Sequence, residues 1–318
     1  MLRRARSSAI VGGPSRPHPE PLMSTLLNIL IDGVAYGMIL FMISVGLSVT
    51  MGLMRVINLA HGGFALIGGA VAHWLMAKQG LGYIPSAGLA IATTVAIAVP
   101  MERVLYRTIY KLGELEQVLA TIGITFLIIA SVNWLFGSLI LPLKLPAFLS
   151  GSIDLGFRTL PVHRALVIGV GLIVITSLYL LIEKTRFGIE LRSAVDNRNM
   201  AAALGIDTSR VFSAAFGLGA GLAALGGILG AELLPVEAYY PLRYMVLFLI
   251  VVAVGGLGSI FGSFAAAIGL GILDTAARYG IFEPVTRYVI ADAGTIMFFL
   301  LVMLVLAVRP NGLFGRAG

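Results

Sequence analysis

The sequence contains no cysteine. This absence excludes disulfides, iron–sulfur clusters, thiolate zinc sites and thiol catalysis. Charged residues are also scarce, at 12% of 318 residues, against about 25% in soluble domains. Apolar residues take their place, since 58% of the chain is hydrophobic and the mean hydropathy is +0.99. The composition therefore excludes an ordinary soluble domain.

Reactive sequence motifs are absent as well. No HExxH pair, no Gly-x-Ser-x-Gly elbow and no GxxxxGK[ST] loop occurs. We therefore predict no catalytic residue, no metal site and no bound cofactor, and we expect any ATP that drives this protein to be bound by a partner. The net charge of +7 comes from Lys and Arg scattered between apolar runs, which favours contact with membrane lipid over nucleic acid.

The apolar residues are gathered in runs long enough to cross a bilayer, which takes roughly 20 residues per helix. We predict an all-α polytopic membrane protein with about eight transmembrane helices. The candidate runs are Thr25–Thr50, Ile57–Met76, Ile84–Val99, Val118–Ile140, Ala165–Ile182, Val211–Leu234, Tyr244–Leu273 and Val289–Val308.

The N-terminal segment 1–22 differs from the rest of the chain. It is rich in Pro, Arg and Ser and has no apolar core of the kind that a signal peptide needs. We predict a disordered tail, with Met23 as the natural start, followed by a single transmembrane domain over 23–318.

Two runs are interrupted by polar or glycine-rich sequence. Residues 58–63 read Asn-Leu-Ala-His-Gly-Gly, and residues 255–259 read Gly-Gly-Leu-Gly-Ser. Transporters place broken helices at the substrate path, often one in each half of the chain. We predict one or two broken or re-entrant segments at a translocation path or gate, formed by Asn58, His61, Gly62, Gly255, Gly256 and Gly258.

The second interruption has two readings, a re-entrant hairpin or a kinked crossing, and they put the C-terminus on opposite sides. Glycines four residues apart favour close helix packing. This spacing occurs at Gly217/Gly221, Gly226/Gly230 and Gly258/Gly262. For His61, a hydrogen bond inside the bundle, a path lining and a proton relay are all open, with Asp32 or Asp274 as relay partners.

The polar loop Glu183–Arg210 is longer than a connector needs. Arg192–Leu204 has the pattern of a short helix, Gly205 is placed to end it, and Asp207, Thr208 or Ser209 can cap the next helix. So short a helix is marginal alone, which favours a partner cleft over a solvated loop. Lys and Arg counts favour a cytoplasmic position for this loop once the N-terminal tail is discarded.

Several motifs resemble the permease subunits of bacterial branched-chain amino acid ABC importers. The similar segments span the chain from about Met23 to its end. They are Arg55–Gly62, Glu102–Arg107, Phe187–Ile206, Gly255–Gly262 and Arg309–Leu313.

This resemblance implies a multi-pass subunit of the bacterial inner membrane. Its expected partners are a second permease, two cytoplasmic ATPases that bind the ATP, and an external solute-binding protein. The expected solute is a branched-chain amino acid, or urea, a short amide or an aromatic acid. The ATPase-coupling residues would be Arg192, Asp196, Asn197, Ala201, Leu204 and Gly205.

Two other classes remain open at this point. A stand-alone proton- or ion-coupled carrier would use His61, Asp32 or Asp274 as coupling groups. A membrane-embedded enzyme is disfavoured because no reactive set of residues is found.

Overall fold

The computed structural model describes residues 22–54, 58–154, 156, 159–279 and 293–314. The predicted tail up to residue 21, the Arg55–Ile57 part of the first motif and the start of the last apolar run lie outside these residues. The described chain is helical apart from one small antiparallel hairpin, so the prediction of an all-α polytopic membrane protein is confirmed.

Twelve helices are described. They are α1 Leu22–Met54, α2 His61–Ala77, α3 Tyr83–Met101, α4 Arg107–Ile109, α5 Glu114–Phe136, α6 Val162–Lys184, α7 Arg186–Asp196, α8 Arg198–Ala203, α9 Thr208–Leu229, α10 Tyr240–Gly255, α11 Ile260–Arg278 and α12 Ala293–Val308. A π-helical segment, Glu102–Tyr106, joins α3 to α4. The hairpin pairs β1 (Ser152–Asp154) with β2 (Thr159–Pro161), with Ile153 opposite Leu160.

Six described helices are long and apolar enough to cross a membrane. They are Met23–Met51, Tyr83–Ile109, Glu114–Phe136, Val162–Lys184, Thr208–Leu229 and Ile260–Arg278, and the shorter apolar helices are Tyr240–Gly255 and Ile296–Val308. The run Tyr244–Leu273 is therefore two helices, α10 and α11, and its glycine-rich interruption is the turn between them.

Helices α1 and α9 form the centre of the bundle. In the apolar part of α9, 78% of residues are buried within the chain, whereas in α6 the value is 22%, so α6 lies at the periphery. The backbones of α1 and α9 touch at Gly46 and Gly219, where an added Cβ on Gly46 would lie 2.6 Å from the Gly219 carbonyl oxygen. Small residues permit this approach, and dispersion contacts then stabilise the pair in lipid.

Two of the glycine spacings predicted to pack do so. Gly217 and Gly221 face Val99 and Val95 of α3. The Gly226/Gly230 pair faces Ile43 and Ile39 of α1. In the third pair, Gly258 belongs to the turn after α10, and Gly262 packs against the Gly255 backbone.

The two ends of the bundle differ in what they carry. At the loop end, α6 passes into α7, and Leu191 and Ala201 pack with Val49 near the end of α1. At the far end, Asp32 near the start of α1 pairs with Arg164 near the start of α6. Both α10 and α11 have their outer ends at the far end, and the turn between them reaches the loop end, where Ile260 joins the Val49 cluster.

Candidate coupling loop and translocation elements

The polar loop contains two helices where the sequence predicted one. The prediction of a helix over Arg192–Leu204 is wrong, because α7 begins earlier and the chain breaks at Asn197. This residue is extended (φ −151°, ψ 97°), and its side chain accepts a hydrogen bond from the Met200 N–H at 3.0 Å. Asn competes with helical hydrogen bonding in this way and is favoured as an N-cap. The result is a separate short helix, α8.

The end of α8 matches the sequence expectation. Gly205 follows it with φ +86°, a conformation that glycine adopts without a steric penalty. Its N–H donates to the Ala202 carbonyl at 3.0 Å, and the Ile206 N–H donates to the Ala201 carbonyl at 3.0 Å. Asp207 then caps α9 by accepting from the Arg210 N–H at 3.1 Å. Gly205 therefore reverses the chain so that α9 can return into the bundle.

Helix α8 has one buried residue and an exposed outer surface. Ala201 is buried against the cluster that contains Leu191 and Val211. By contrast, Met200 is 59% exposed and Leu204 is 75% exposed. These two apolar side chains lie four positions apart and project from the loop end of the protein. An exposed apolar pair on a well-anchored helix is suited to a hydrophobic cleft on a partner.

The six residues predicted for coupling divide into two groups. Asp196, Asn197, Leu204 and Gly205 are exposed, whereas Ala201 is an anchor. Arg192 also faces inward, because its Nη1 donates to the Ile182 carbonyl at 2.5 Å and lies 3.5 Å from Glu183 Oε2. It therefore holds α7 against the end of α6.

The first interruption is held by side chains. Asn58 Oδ1 accepts from the Ala60 N–H at 3.1 Å and from the Tyr106 hydroxyl at 2.9 Å. His61 Nε2 lies 3.0 Å from the Ile43 carbonyl and donates to it. Gly62 packs against α10, where an added Cβ would lie 3.3 Å from Pro241 Cα. The start of α2 is thus bonded to α1 and to the π-helical segment and lies against α10.

Two nitrogen atoms at this interruption are buried without a hydrogen bond, Asn58 Nδ2 and His61 Nδ1. The expected relay partners are engaged elsewhere. Asp32 accepts from Arg164 and Tyr279, and Asp274 accepts from Arg278. The geometry gives no support to a relay from His61 to either aspartate, and it fits a histidine hydrogen-bonded inside the bundle.

The second interruption is held by backbone contacts. Gly255 approaches α11 so closely that an added Cβ would lie 2.6 Å from the Gly262 carbonyl carbon. Gly256 and Gly258 have φ of +98° and +79°. Ser259 then caps α11, since its Oγ accepts from the Gly262 N–H at 3.0 Å. Of the two readings left open by the sequence, the hairpin is correct.

The C-terminal segment closes this turn. The Leu313 N–H donates to the Val254 carbonyl at 2.7 Å, and the Phe314 N–H donates to the Gly255 carbonyl at 3.2 Å. These are carbonyls that the end of α10 would otherwise leave unpaired. Gly312 allows the contact, because an added Cβ would lie 2.5 Å from the Gly256 nitrogen. The described C-terminal residues therefore lie at the loop end.

Sequence reasoning missed a buried polar cluster between the coupling loop and the first interruption. Glu102 is 1% exposed and accepts a hydrogen bond from Ser213 Oγ in the second turn of α9. Arg107 Nη2 donates to the same Ser213 oxygen at 3.3 Å, and Arg107 Nε lies 3.7 Å from Glu102 Oε1. The Glu102–Arg107 motif was visible in the sequence, but nothing there indicated Ser213 as its partner.

The π-helical segment places this cluster. It follows Pro100, and it directs Glu102 and Tyr106 inward so that both are buried. The Tyr106 ring lies 4.8 Å from the Phe216 ring of α9 while its hydroxyl reaches Asn58. Single π-helical turns are frequent at functional sites. Here the turn connects the first turns of α9 to the interruption before α2.

Within the described residues, no group of three or more His, Asp or Glu is placed to hold a metal ion. The buried polar side chains are instead paired between helices, as Glu102 is with Ser213 and Tyr106 is with Asn58. This arrangement positions helices relative to one another.

Comparison with known proteins agrees with this architecture. The high-affinity branched-chain amino acid transport system permease protein LivH of Escherichia coli K12 is 26% identical over 304 residues, covering 91% of this chain and 96% of LivH. The corresponding permease protein BraD of Pseudomonas aeruginosa is 28% identical over 302 residues, with the same coverage.

Among solved structures, a chain of PsaBC from Streptococcus pneumoniae in complex with Fab aligns with a TM-score of 0.46 and 15% identity, covering 91% of this chain and 94% of that chain. The family described as "Branched-chain amino acid transport system / permease component" matches residues 29–308. Because this match includes the interrupted helices, the polar loop and most of the helical bundle, the chain belongs to the branched-chain amino acid transport system permease family.

Proposed function

We propose that this chain is a membrane-spanning permease subunit of an ABC importer in the inner membrane of a bacterium. It would carry a branched-chain amino acid, or a related small solute such as urea, an amide or an aromatic acid. Its partners would be a second permease, two cytoplasmic ATPases and an external solute-binding protein. Family membership supports the solute class, and the polar loop supports the ATPase partner.

The exposed surface of α8 carries the proposal. Helix α8 is anchored through Ala201, and Met200 and Leu204 project outward. A rigid base with an exposed apolar pair is what a helix needs in order to transmit a push, because a flexible loop would absorb it. ATP-driven closure of the ATPases would move α8, and α9 would follow because Gly205 and Asp207 join the two tightly.

The displaced α9 would act on the first interruption through two side-chain contacts. Ser213 bonds Glu102 at the start of the π-helical segment, and Tyr106 at its end bonds Asn58. Movement of α9 would therefore shift the start of α2. Alternating access would follow from rearrangement at Asn58–Gly62, with the glycine turn after α10 as the opposing element.

The test is replacement of the exposed apolar pair. We expect the Met200→Ser/Leu204→Ser double variant to fold normally, because both side chains are exposed, and to bind the ATPase about tenfold or more weakly, since buried apolar contacts dominate such interfaces. Co-purification with the ATPase and ATP-dependent uptake in proteoliposomes measure this. Leu139→Ser is the matched control, as Leu139 is 81% exposed at the far end.

Two results would overturn the proposal. One is normal ATPase binding and uptake by the double variant. The other is solute accumulation by proteoliposomes that contain this chain alone, since an importer permease without its ATPases has no source of energy. Variants at Asp196 and Gly205 should likewise uncouple transport and leave the bundle folded, because both residues are exposed.

A further inference from the structure

Four side chains meet at the far end of the bundle, above the start of α2. They are Tyr36 of α1, Tyr240 of α10, and Asp274 and Arg278 of α11. Arg278 Nε donates to Asp274 Oδ2 at 2.6 Å, and the guanidinium carbon lies 5.8 Å from the centre of the Tyr36 ring. The coupling mechanism uses none of these four side chains.

The two tyrosines end in buried hydroxyls that make no hydrogen bond. Tyr36 is 5% exposed and Tyr240 is fully buried. Tyr36 lies within electrostatic range of both Asp274 and Arg278, and Tyr240 lies within range of Tyr36. Buried polar groups are nearly always paired, and an unpaired one costs about 1–3 kcal/mol. Two such hydroxyls beside an ion pair indicate a place prepared for a polar ligand.

The accessibility of the pair fits ligand entry from the far end. The Arg278 side chain is 69% exposed, and that of Asp274 is 18% exposed. A neighbouring acid provides the contrast. Both carboxylate oxygens of Asp32 already accept hydrogen bonds, one from Arg164 and one from Tyr279. Asp32 is therefore closed, whereas the Asp274–Arg278 pair has exposed donors and unpaired hydroxyls beside it.

We infer that these four residues bind the zwitterionic head of an α-amino acid before it enters the pore. The ligand carboxylate would bond Arg278 and the Tyr36 hydroxyl, and its ammonium group would bond Asp274. One ion pair would thus be replaced by two charge-assisted contacts. This inference rests on the proposed transport function and extends it by naming a site for the solute in the permease itself.

The position of Tyr240 connects the site to the interrupted helix. Tyr240 precedes Pro241, which packs on Gly62 at the start of α2. Its ring also lies 6.4 Å from that of Phe248, which contacts Gly62 as well. An apolar ligand side chain would find these aromatic surfaces on the way inward. The site thus lies next to the element that the coupling loop is proposed to move.

Direct ligand binding to the full chain in lipid nanodiscs tests the inference. Saturation-transfer NMR would follow L-leucine up to about 10 mM, a range suited to weak transport sites. We expect Arg278→Gln and Asp274→Asn each to weaken binding about tenfold or more, because each removes a charged partner. The matched control is Arg243→Gln, since Arg243 forms a similar exposed pair with Glu237 at 2.6 Å.

Analogues of leucine separate the two charges. Isoamylamine, which lacks the carboxylate, should bind wild type weakly and be unaffected by Arg278→Gln. 4-Methylpentanoate, which lacks the ammonium group, should be unaffected or improved by Asp274→Asn. Failure of wild type to bind leucine, or equal binding by wild type and both variants, would overturn the inference.

A lipid phosphate could also bind Arg278, but it has no use for Asp274. If Arg278→Gln lowered leucine binding and Asp274→Asn did not, an anionic headgroup would explain the site and the inference would be wrong. The proposed transport function fails in a different way, through absent ATPase binding or absent ATP-dependent uptake by the wild-type complex. Normal uptake by both variants at unchanged KM would reject this site alone.

Discussion

The two helix interruptions satisfy their backbones by opposite means. At Asn58–Gly62, side chains from distant segments do so, through Asn58 to Tyr106 and His61 to the Ile43 carbonyl. At Gly255–Ser259, glycine conformations and the C-terminal segment do so, through backbone contacts alone apart from the Ser259 cap. Irregular backbone at membrane depth needs one solution or the other.

This difference indicates different mechanical properties. The first interruption retains two buried nitrogen atoms without partners, so it has spare donors for a second arrangement. At the second, an added Cβ on Gly255 or Gly312 would overlap neighbouring backbone, so there is no room for side-chain rearrangement. We therefore expect the first interruption to move during transport and the second to act as a fixed pivot.

The largest expected effect is at the pivot. Gly255→Ala would drive a methyl group into the Gly262 backbone at 2.6 Å, which cannot move away as a side-chain tip would. Overpacking of this kind costs about 1–3 kcal/mol, and more where backbone must shift. Thermal unfolding in detergent measures it. Gly269→Ala on α11 is the control, because nothing lies within 4 Å of its added Cβ; equal melting temperatures for the two variants would contradict the fixed pivot.

A smaller effect is expected at the cap of the same turn. Ser259→Ala removes the hydroxyl that accepts from the Gly262 N–H at 3.0 Å. Loss of an N-cap costs about 1 kcal/mol, so the melting temperature should fall less than with Gly255→Ala. Ser259→Asp should restore most of it, since Asp caps equally well. A larger loss from Ser259→Ala than from Gly255→Ala would show that the cap, and not the glycine contact, stabilises the turn.

The smallest change in stability, with the clearest change in function, is expected at the first interruption. Tyr106→Phe removes the hydrogen bond to Asn58 Oδ1 and keeps the ring contact with Phe216. The cost is about 0.5–1.5 kcal/mol, because Asn58 Oδ1 retains the Ala60 N–H. ATP-dependent uptake should fall while ATPase binding remains. Tyr179→Phe is the control, at a ring that is 53% exposed; unchanged uptake by Tyr106→Phe would remove this contact from the mechanism.

Local sequence signals predicted local structure well. Gly205 ends α8 with positive φ, Asp207 caps α9, and the Gly226/Gly230 pair packs against α1. The prediction failed at Asn197, where helical patterning extended through a residue whose side chain caps a new helix. Helical periodicity and capping compete at such a residue, and only the surrounding packing decides between them.

Contacts between distant segments could not be predicted in this way. Ser213 meets Glu102, and Leu313 meets Val254, across many helices. The motifs at both places stood out in the sequence, but one motif does not indicate which other segment it touches. The candidate coupling surface shows the same limit, since Arg192 and Leu204 read alike in the loop and face opposite ways in the structure.

The sequence by itself determined the membrane character, the absence of cysteine chemistry and the places where helices break. Hydropathy and glycine are local properties, so the linear chain displays them. Only the tertiary structure decided that one break is held by side chains and the other by backbone, and that Asp274, Arg278 and two tyrosines converge at the far end. These outcomes depend on which helices become neighbours, and that is settled by packing over the whole bundle.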